Sequence, residues 1–201
     1  LTVGGTTTLT TSAADATITA DGVASTGAVS VNTSGAAGNA TVVNATALDL
    51  AASSVGGNLD ATATTGNLTS SGTVTVGGTS SLTTANADDD INVANLASTG
   101  AVTLSVNGTG ADVTLVNATA LELANGTNVG GNLDATATTG NLTDAGTLTV
   151  GGTTTLTTSA PDATITADAL APTGAVSVTT PAAAGNPTAV NPTASDTAAS
   201  S

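Results

Sequence analysis

Lys, Arg, His, Cys, Met, Gln and all three aromatic residues are absent from the 201-residue chain, and each absence excludes a class of function. A serine or threonine nucleophile needs a base to activate it, and no imidazole or amine side chain is present. The composition therefore reads as non-enzymatic. Zinc sites of the His/Cys kind, disulfides and lysine isopeptide cross-links are chemically impossible. Charged residues make up 7% of the chain where about a quarter is usual, and all of them are acidic. The net charge of −14 repels nucleic acid and anionic lipid, and nothing can form an arginine–phosphate fork or a base stack. No apolar run approaches the ~18 residues of a membrane helix, so membrane insertion is not expected. No signal peptide is visible and the first residue falls inside a motif, so the chain reads as a window on a longer array.

What is present is repetition. The segment Leu1–Thr11 returns as Val74–Thr84 and again as Leu148–Thr158, with Gly5 recurring as Gly78 and then Gly152. The period is thus about 73 residues, lengthened by one in the second copy through an insertion near Asn125–Asn128. Such a period marks a solenoid or an array. It divides the chain into a first copy at 1–72, a second at 73–146 and a partial third at 147–201 with a proline-rich end.

Within each copy, apolar residues alternate in short bursts, as in Ala28-Val-Ser-Val31, Leu48-Asp-Leu50 and Leu59-Asp-Ala-Thr-Ala63. Period two means strands with one dry face, and Gly, Asn, Ser and Asp between them supply turns. Hydrophobic residues reach 39% and are ordered by position, which argues against disorder. A second spacing lies inside the first. Val55-Gly-Gly57 is followed by Val76-Gly-Gly78, and Val129-Gly-Gly131 by Val150-Gly-Gly152, at the same interval of about 21 residues. That length suits one turn of a parallel β-helix. The fold expected is an all-β parallel solenoid with about three turns per repeat, eight to ten in all, one of them enlarged by the Thr33–Asn39 loop. A narrow interior filled by Val, Leu, Ile and Ala also accounts for the missing aromatics. Separate β-sandwiches, one per copy, are the competing architecture, and they would want larger core residues.

All five prolines lie in the third copy, at 161, 172, 181, 187 and 192. There Ala40-Thr-Val-Val43 becomes Pro187-Thr-Ala-Val190, and Leu48-Asp-Leu50 becomes Ser195-Asp-Thr197. Residues beyond about 180 are expected to form a frayed end or a cap.

Threonine-, glycine- and asparagine-rich repeats such as Gly66–Thr79 resemble those of giant secreted bacterial adhesins, the filamentous-haemagglutinin-like exoproteins. The resemblance extends to about residue 180. It implies a right-handed β-helix, export to the cell surface and a role in adhesion or matrix building, and it carries no catalytic residues.

Four features are candidates for chemistry. Asp88, Asp89 and Asp90 form the densest acidic cluster and a weak calcium site, calcium being the one cofactor the chain suggests. Ala14-Asp-Ala16 and Pro161-Asp-Ala163 stand at the matching places, so only the middle Asp is taken as shared, and a solvated turn is the plainer reading. Asp60 and Asp134 occupy identical Gly-Asn-Leu-Asp-Ala-Thr-Ala-Thr segments and are expected to recur outward along one line of the rod. Eight Asn-x-Ser/Thr sequons begin at Asn32, Asn39, Asn44, Asn67, Asn107, Asn117, Asn125 and Asn141, read as stacked-turn ladders before glycosylation. Outward threonines in Thr17-Ile-Thr19 and Thr62-Ala-Thr64 suggest an ice-type face, which uneven turn lengths are expected to break.

The reading is an extracellular stalk or filament segment of a surface adhesin, biofilm matrix or surface layer. Its expected partners are copies of itself or neighbouring repeats end to end, and a carbohydrate or host surface. The alternative is a binding module for carbohydrate or ice acting through Thr/Asn-rich faces.

Overall fold

Strands that bury every second residue need something to bury it against, and here each turn of chain supplies the next. In the computed structural model the chain winds into two parallel sheets packed back to back, one of 13 strands and one of 12. The structure describes residues 1–181 and the strand segments Thr188–Ala189 and Thr197–Ser200. The chain crosses between the sheets every half-turn, each half-turn holding one strand or two short ones: Ile18–Ser25 lies in the first, Val29–Ser34 in the second, Ala40–Asn44 in the first again, and Leu48–Leu50 with Ser53–Val55 in the second. Each strand pairs in parallel with the one a full turn later. Leu59 lies against Ser80, and Ser80 against Val102. On the other sheet Leu133 lies against Thr154, and Thr154 against Val176. These offsets match the Val-Gly-Gly spacing to within one position and give about eight turns through residue 181.

The repeat and the turn do not keep step. Leu9 belongs to Thr7–Ala14 of the second sheet, its counterpart Leu82 to Ser80–Ala87 of the first, and Leu156 to Thr154–Thr158 of the second. One repeat is therefore seven half-turns. The expected three turns sharpen to three and a half, and each copy presents its surface on the side opposite its predecessor.

Val29, Val31, Val42, Leu48, Leu50, Leu59, Val74 and Val76 all point inward, none more than 2% exposed, and they belong to one core cluster that runs on to Val178. That continuous parallel core rules out separate sandwiches. The only large apolar side chain exposed among the described residues is Leu1.

The Val-Gly-Gly motifs stack on one another at the corners. A Cβ on Gly56 would overlap the carbonyl oxygen of Gly35, and one on Gly77 that of Gly56; Gly130 and Gly151 repeat the arrangement above Gly108. Glycine is required there by close approach of backbones, which is why the short spacing shows so plainly in the sequence. The inserted residue is absorbed in the tight turn at Asn125–Gly126, with Gly126 at φ +85. Beyond it the inward hydroxyl returns to place: Ser53 Oγ accepts the Val31 amide, and Thr127 Oγ1 accepts that of Leu104.

The third copy departs earlier than residue 180. Pro161 stands where Ala14 and Ala87 pair with the next turn, and the strand there stops at Thr158. Pro172 ends the strand Leu170–Pro172, replacing the inward Ser25 and Ser98 of the earlier copies. The changes at Pro187, Pro192 and Ser195 lie outside the described residues.

Candidate functional site: turn ladders and outward faces

Turns place the acidic residues. Asp15, Asp88 and Asp162 each adopt φ 62, and no other non-glycine among the described residues has positive φ. Asp is among the few residue types that tolerate this region. This fixes the alignment: Asp88, the first of the acidic trio, is the recurring residue, which corrects the assignment to its middle member. Asp15 Oδ1 accepts the Ala37 amide at 2.9 Å, and Asp88 Oδ1 accepts that of Gly110 at 2.9 Å. Each turn is thereby clamped to the loop one turn later.

The trio does not converge on a common point. Asp89 accepts from the Gly66 amide at 2.6 Å and Asp90 from the Asp112 amide at 2.9 Å, in opposite directions along the rod. Among the described residues no three acidic side chains group as a metal site. One carboxylate is perturbed: burial pushes the Asp144 carboxyl above the ordinary Asp value, opposed by bonds from the Ala169 and Asp168 amides, with the Asp168 charge adding to the rise.

Five of the eight sequon asparagines fall into two kinds. At the entry to the strands of the second sheet, Asn67 accepts the amide of Asp90, Asp90 that of Asp112, Asp112 that of Asn132 and Asn132 that of Thr153. Asn39 and Asn58 begin a matching ladder on the first sheet, and Asn141 accepts from Thr164 there. Asn44 and Asn117 point inward instead and are fully buried. Asn44 Oδ1 accepts the Ser25 amide, while its Nδ2 donates to the Ser25 and Ala47 carbonyls and to Thr46 Oγ1. Asn117 repeats each bond with Ser98, Ala120 and Thr119. A glycan has no access to either amide. Sequence reading missed this inward role, and the signal was the recurrence of Val-Val-Asn-Ala-Thr and Leu-Val-Asn-Ala-Thr directly after an apolar alternation.

The outward faces carry the uncommitted groups. On the first sheet, Thr41, Asp60, Ser81 and Thr103 align over four turns, with Val43, Thr62, Thr83 and Ser105 two positions along. On the second, Thr114, Asp134, Thr155 and Ser177 align beside Val116, Thr136, Thr157 and Thr179. These are the same patch one repeat apart, so Asp60 and Asp134 lie on opposite faces and form no common line, contrary to expectation. Uneven turn length does not break the rows either, because the loops at 35–39 and 108–112 absorb the difference outside the sheets. None of the patch hydroxyls enters an intramolecular hydrogen bond, unlike Thr46, Thr65 and Thr139 at the corners.

Depressions are shallow and also come in repeat-related pairs. One of about 200 Å³ is lined by Val43, Ala45 and Thr64, and one of about 150 Å³ by Val116, Ala118 and Thr138. Both open beside a β-bulge, between Ala20 and Val23 in one case and between Val93 and Leu96 in the other. Both are smaller than the ~300–1,000 Å³ of ordinary ligand pockets. No helix of the described residues is long and apolar enough to cross a membrane.

Comparison with curated proteins gives no match. Comparison with solved structures gives none either. A family model described as repeats of unknown function (DUF5649) matches twice, at residues 37–105 and 110–179, the second match beginning one repeat period after the first. Two matches in tandem at the spacing of the internal repeat cover more than half of the chain, which belongs to this family of repeats.

Proposed function

We infer that the chain is a non-enzymatic structural segment of an extracellular surface protein, a stalk or filament that spaces an adhesive or matrix-forming assembly away from the cell. The observation that carries this reading is the uninterrupted core: about eight turns stack without a break, and the surface features recur with the repeat instead of converging on one irregular site. At ~4.8 Å per turn the described turns extend ~40 Å, and repetition converts chain length directly into reach. The resemblance of Gly66–Thr79 and its copies to filamentous-haemagglutinin-like exoproteins supports export and adhesion. An all-acidic charge set with no cation suits a segment that stays clear of anionic surfaces.

The test is antibody labelling of the source cells with serum raised against this chain. Label on intact cells is expected. Label seen only after permeabilisation would overturn the extracellular assignment.

The binding-module alternative draws on the patch hydroxyls, which are aligned and unbonded. Asp60 and Asp134 interrupt the lattice that ice recognition requires, and no aromatic platform is present for a sugar ring. Thermal hysteresis or retention on an insoluble polysaccharide would favour it over the stalk.

A further inference from the structure

We propose that the two outward faces are lateral contact surfaces for second copies of this chain, and that side-by-side packing builds sheets of rods instead of closed dimers. The inference rests on the structural reading above and names the partner of that structure.

The argument starts from the seven-half-turn repeat. Because successive copies turn opposite sides outward, the Thr62/Thr83 patch of the first sheet reappears as Thr136/Thr157 on the second. A rod with one self-complementary face closes as a dimer; a rod with the same face on both sides propagates. A repeat of three or four whole turns would place every patch on one side and abolish this property.

Three further observations agree. The patch side chains are short, and their hydroxyls are uncommitted within the chain, so they are free to bond across a contact. Charge is sparse on the faces: Asp15, Asp88, Asp89, Asp90, Asp112 and Asp162 sit at the turns along the edges, each patch holds one acidic residue, Asp60 or Asp134, and outside the patches Glu122 stands outward on the first sheet and Asp49 on the second. Area is adequate as well. A full face ~40 Å long and ~16 Å wide offers about 600 Å², so contact along the whole rod, beyond the four-turn patch alone, buries ~1,200 Å², the lower bound of a specific interface.

Like charge opposes the contact and sets its condition. The chain carries −14 with no cation to offset it. The Debye length shrinks from ~10 Å at 0.1 M salt to ~3 Å at 1 M, so packing is salt-dependent.

The experiment is a salt series on the intact chain by small-angle scattering and negative-stain microscopy. Four variants accompany the wild type: Thr83→Asp, Thr157→Asp, the double variant, and Thr109→Asp in an edge loop as a charge-matched control. Wild type and the control are expected to form ribbons many rods wide above ~0.5 M salt. Each single variant stops at pairs, and the double variant stays monomeric. Thr83→Asn, neutral and of similar size, keeps the ribbon and separates charge from misfolding. Single rods at every salt concentration overturn the proposal, as does a Thr109→Asp variant that behaves like the patch variants. Fibres that lengthen without widening also overturn it, while leaving the stalk reading intact.

Discussion

A single side chain in this fold has few alternatives, because every second residue faces a core built mainly of Val, Leu, Ile and Ala that contains no cation. Leu121 is buried and Glu122, its neighbour, is exposed. Leu121→Asp places a carboxylate among leucines and valines with no cation in the chain to pair with it, and a loss of several kcal/mol is expected. Glu122→Ala is expected to leave the melting temperature almost unmoved, and paired thermal melts check both. The buried amides are a polar exception, alongside inward hydroxyls such as Ser53 and Thr127. Asn117→Ala strips every hydrogen bond of that amide and leaves the Ser98 amide unmet in the core, at ~1–3 kcal/mol, while the Ser98 carbonyl keeps the Thr119 hydroxyl as a donor. Asn107→Ala, at an exposed sequon, leaves stability within ~0.5 kcal/mol, and chemical denaturation distinguishes the two. Asp144 has the opposite sign from most acidic residues in proteins. Its folded-state pKa is raised, so the folded chain binds more protons than the unfolded chain and stability falls as pH rises through that window. The stability advantage of Asp144→Asn over wild type at pH 7 is expected to shrink as the pH approaches 4. A carbon-detected titration placing the Asp144 midpoint at or below ~3.9 would contradict this.

At the scale of strands and turns, the three copies form an internal mutant series. Thr7 Oγ1 donates to Ser25 Oγ at 2.9 Å, and Ser80 Oγ to Ser98 Oγ at 2.9 Å. In the third copy Pro172 takes the serine's place, and Thr154 Oγ1 is buried without a partner. Thr84 Oγ1 donates to the Asp89 carbonyl, yet its counterpart Thr158 Oγ1 is also unpartnered, next to the strand that Pro161 cuts short. Both losses lie at a proline substitution; the first removes a long-range bond and the second a local bond that closes the corner after the strand. Amides of Thr154–Thr158 are therefore expected to exchange faster than those of Ser80–Thr84. Pro172→Ser should slow that exchange and add about 1 kcal/mol. Equal exchange rates in the two strands would show that the prolines are structurally neutral.

Much of this level was legible beforehand. The alternation in Leu48-Asp-Leu50 and Leu59–Ala63 names the dry faces, and the Val-Gly-Gly spacing names the turn, because glycine there answers to a direct backbone contact. The half-turn offset was hidden for a physical reason: a strand reads the same on either sheet, so alternation cannot tell Leu9's sheet from Leu82's. The inward role of Asn44 was hidden similarly, since an asparagine after a strand also suits a solvent turn.

The whole molecule inverts the usual logic of acid denaturation. Most proteins unfold in acid as they accumulate positive charge and lose ion pairs. This chain has no basic side chain, so acid takes it from −14 toward zero and builds no repulsion of the other sign. Its carboxylates hold neighbouring turns by accepting backbone amides, as Asp15, Asp90 and Asp112 do, and a protonated carboxyl still accepts through its carbonyl oxygen. The bonds weaken but survive, while the repulsion between rods disappears. Strand content by circular dichroism is therefore expected to persist at pH 2–3. Light scattering should rise sharply as the pH falls through the isoelectric point near 4.1 and fall again when neutral pH is restored. Loss of strand signal before any scattering would show that the ionised form of these turn carboxylates, more than the Val and Leu ladders inside, holds the turns together.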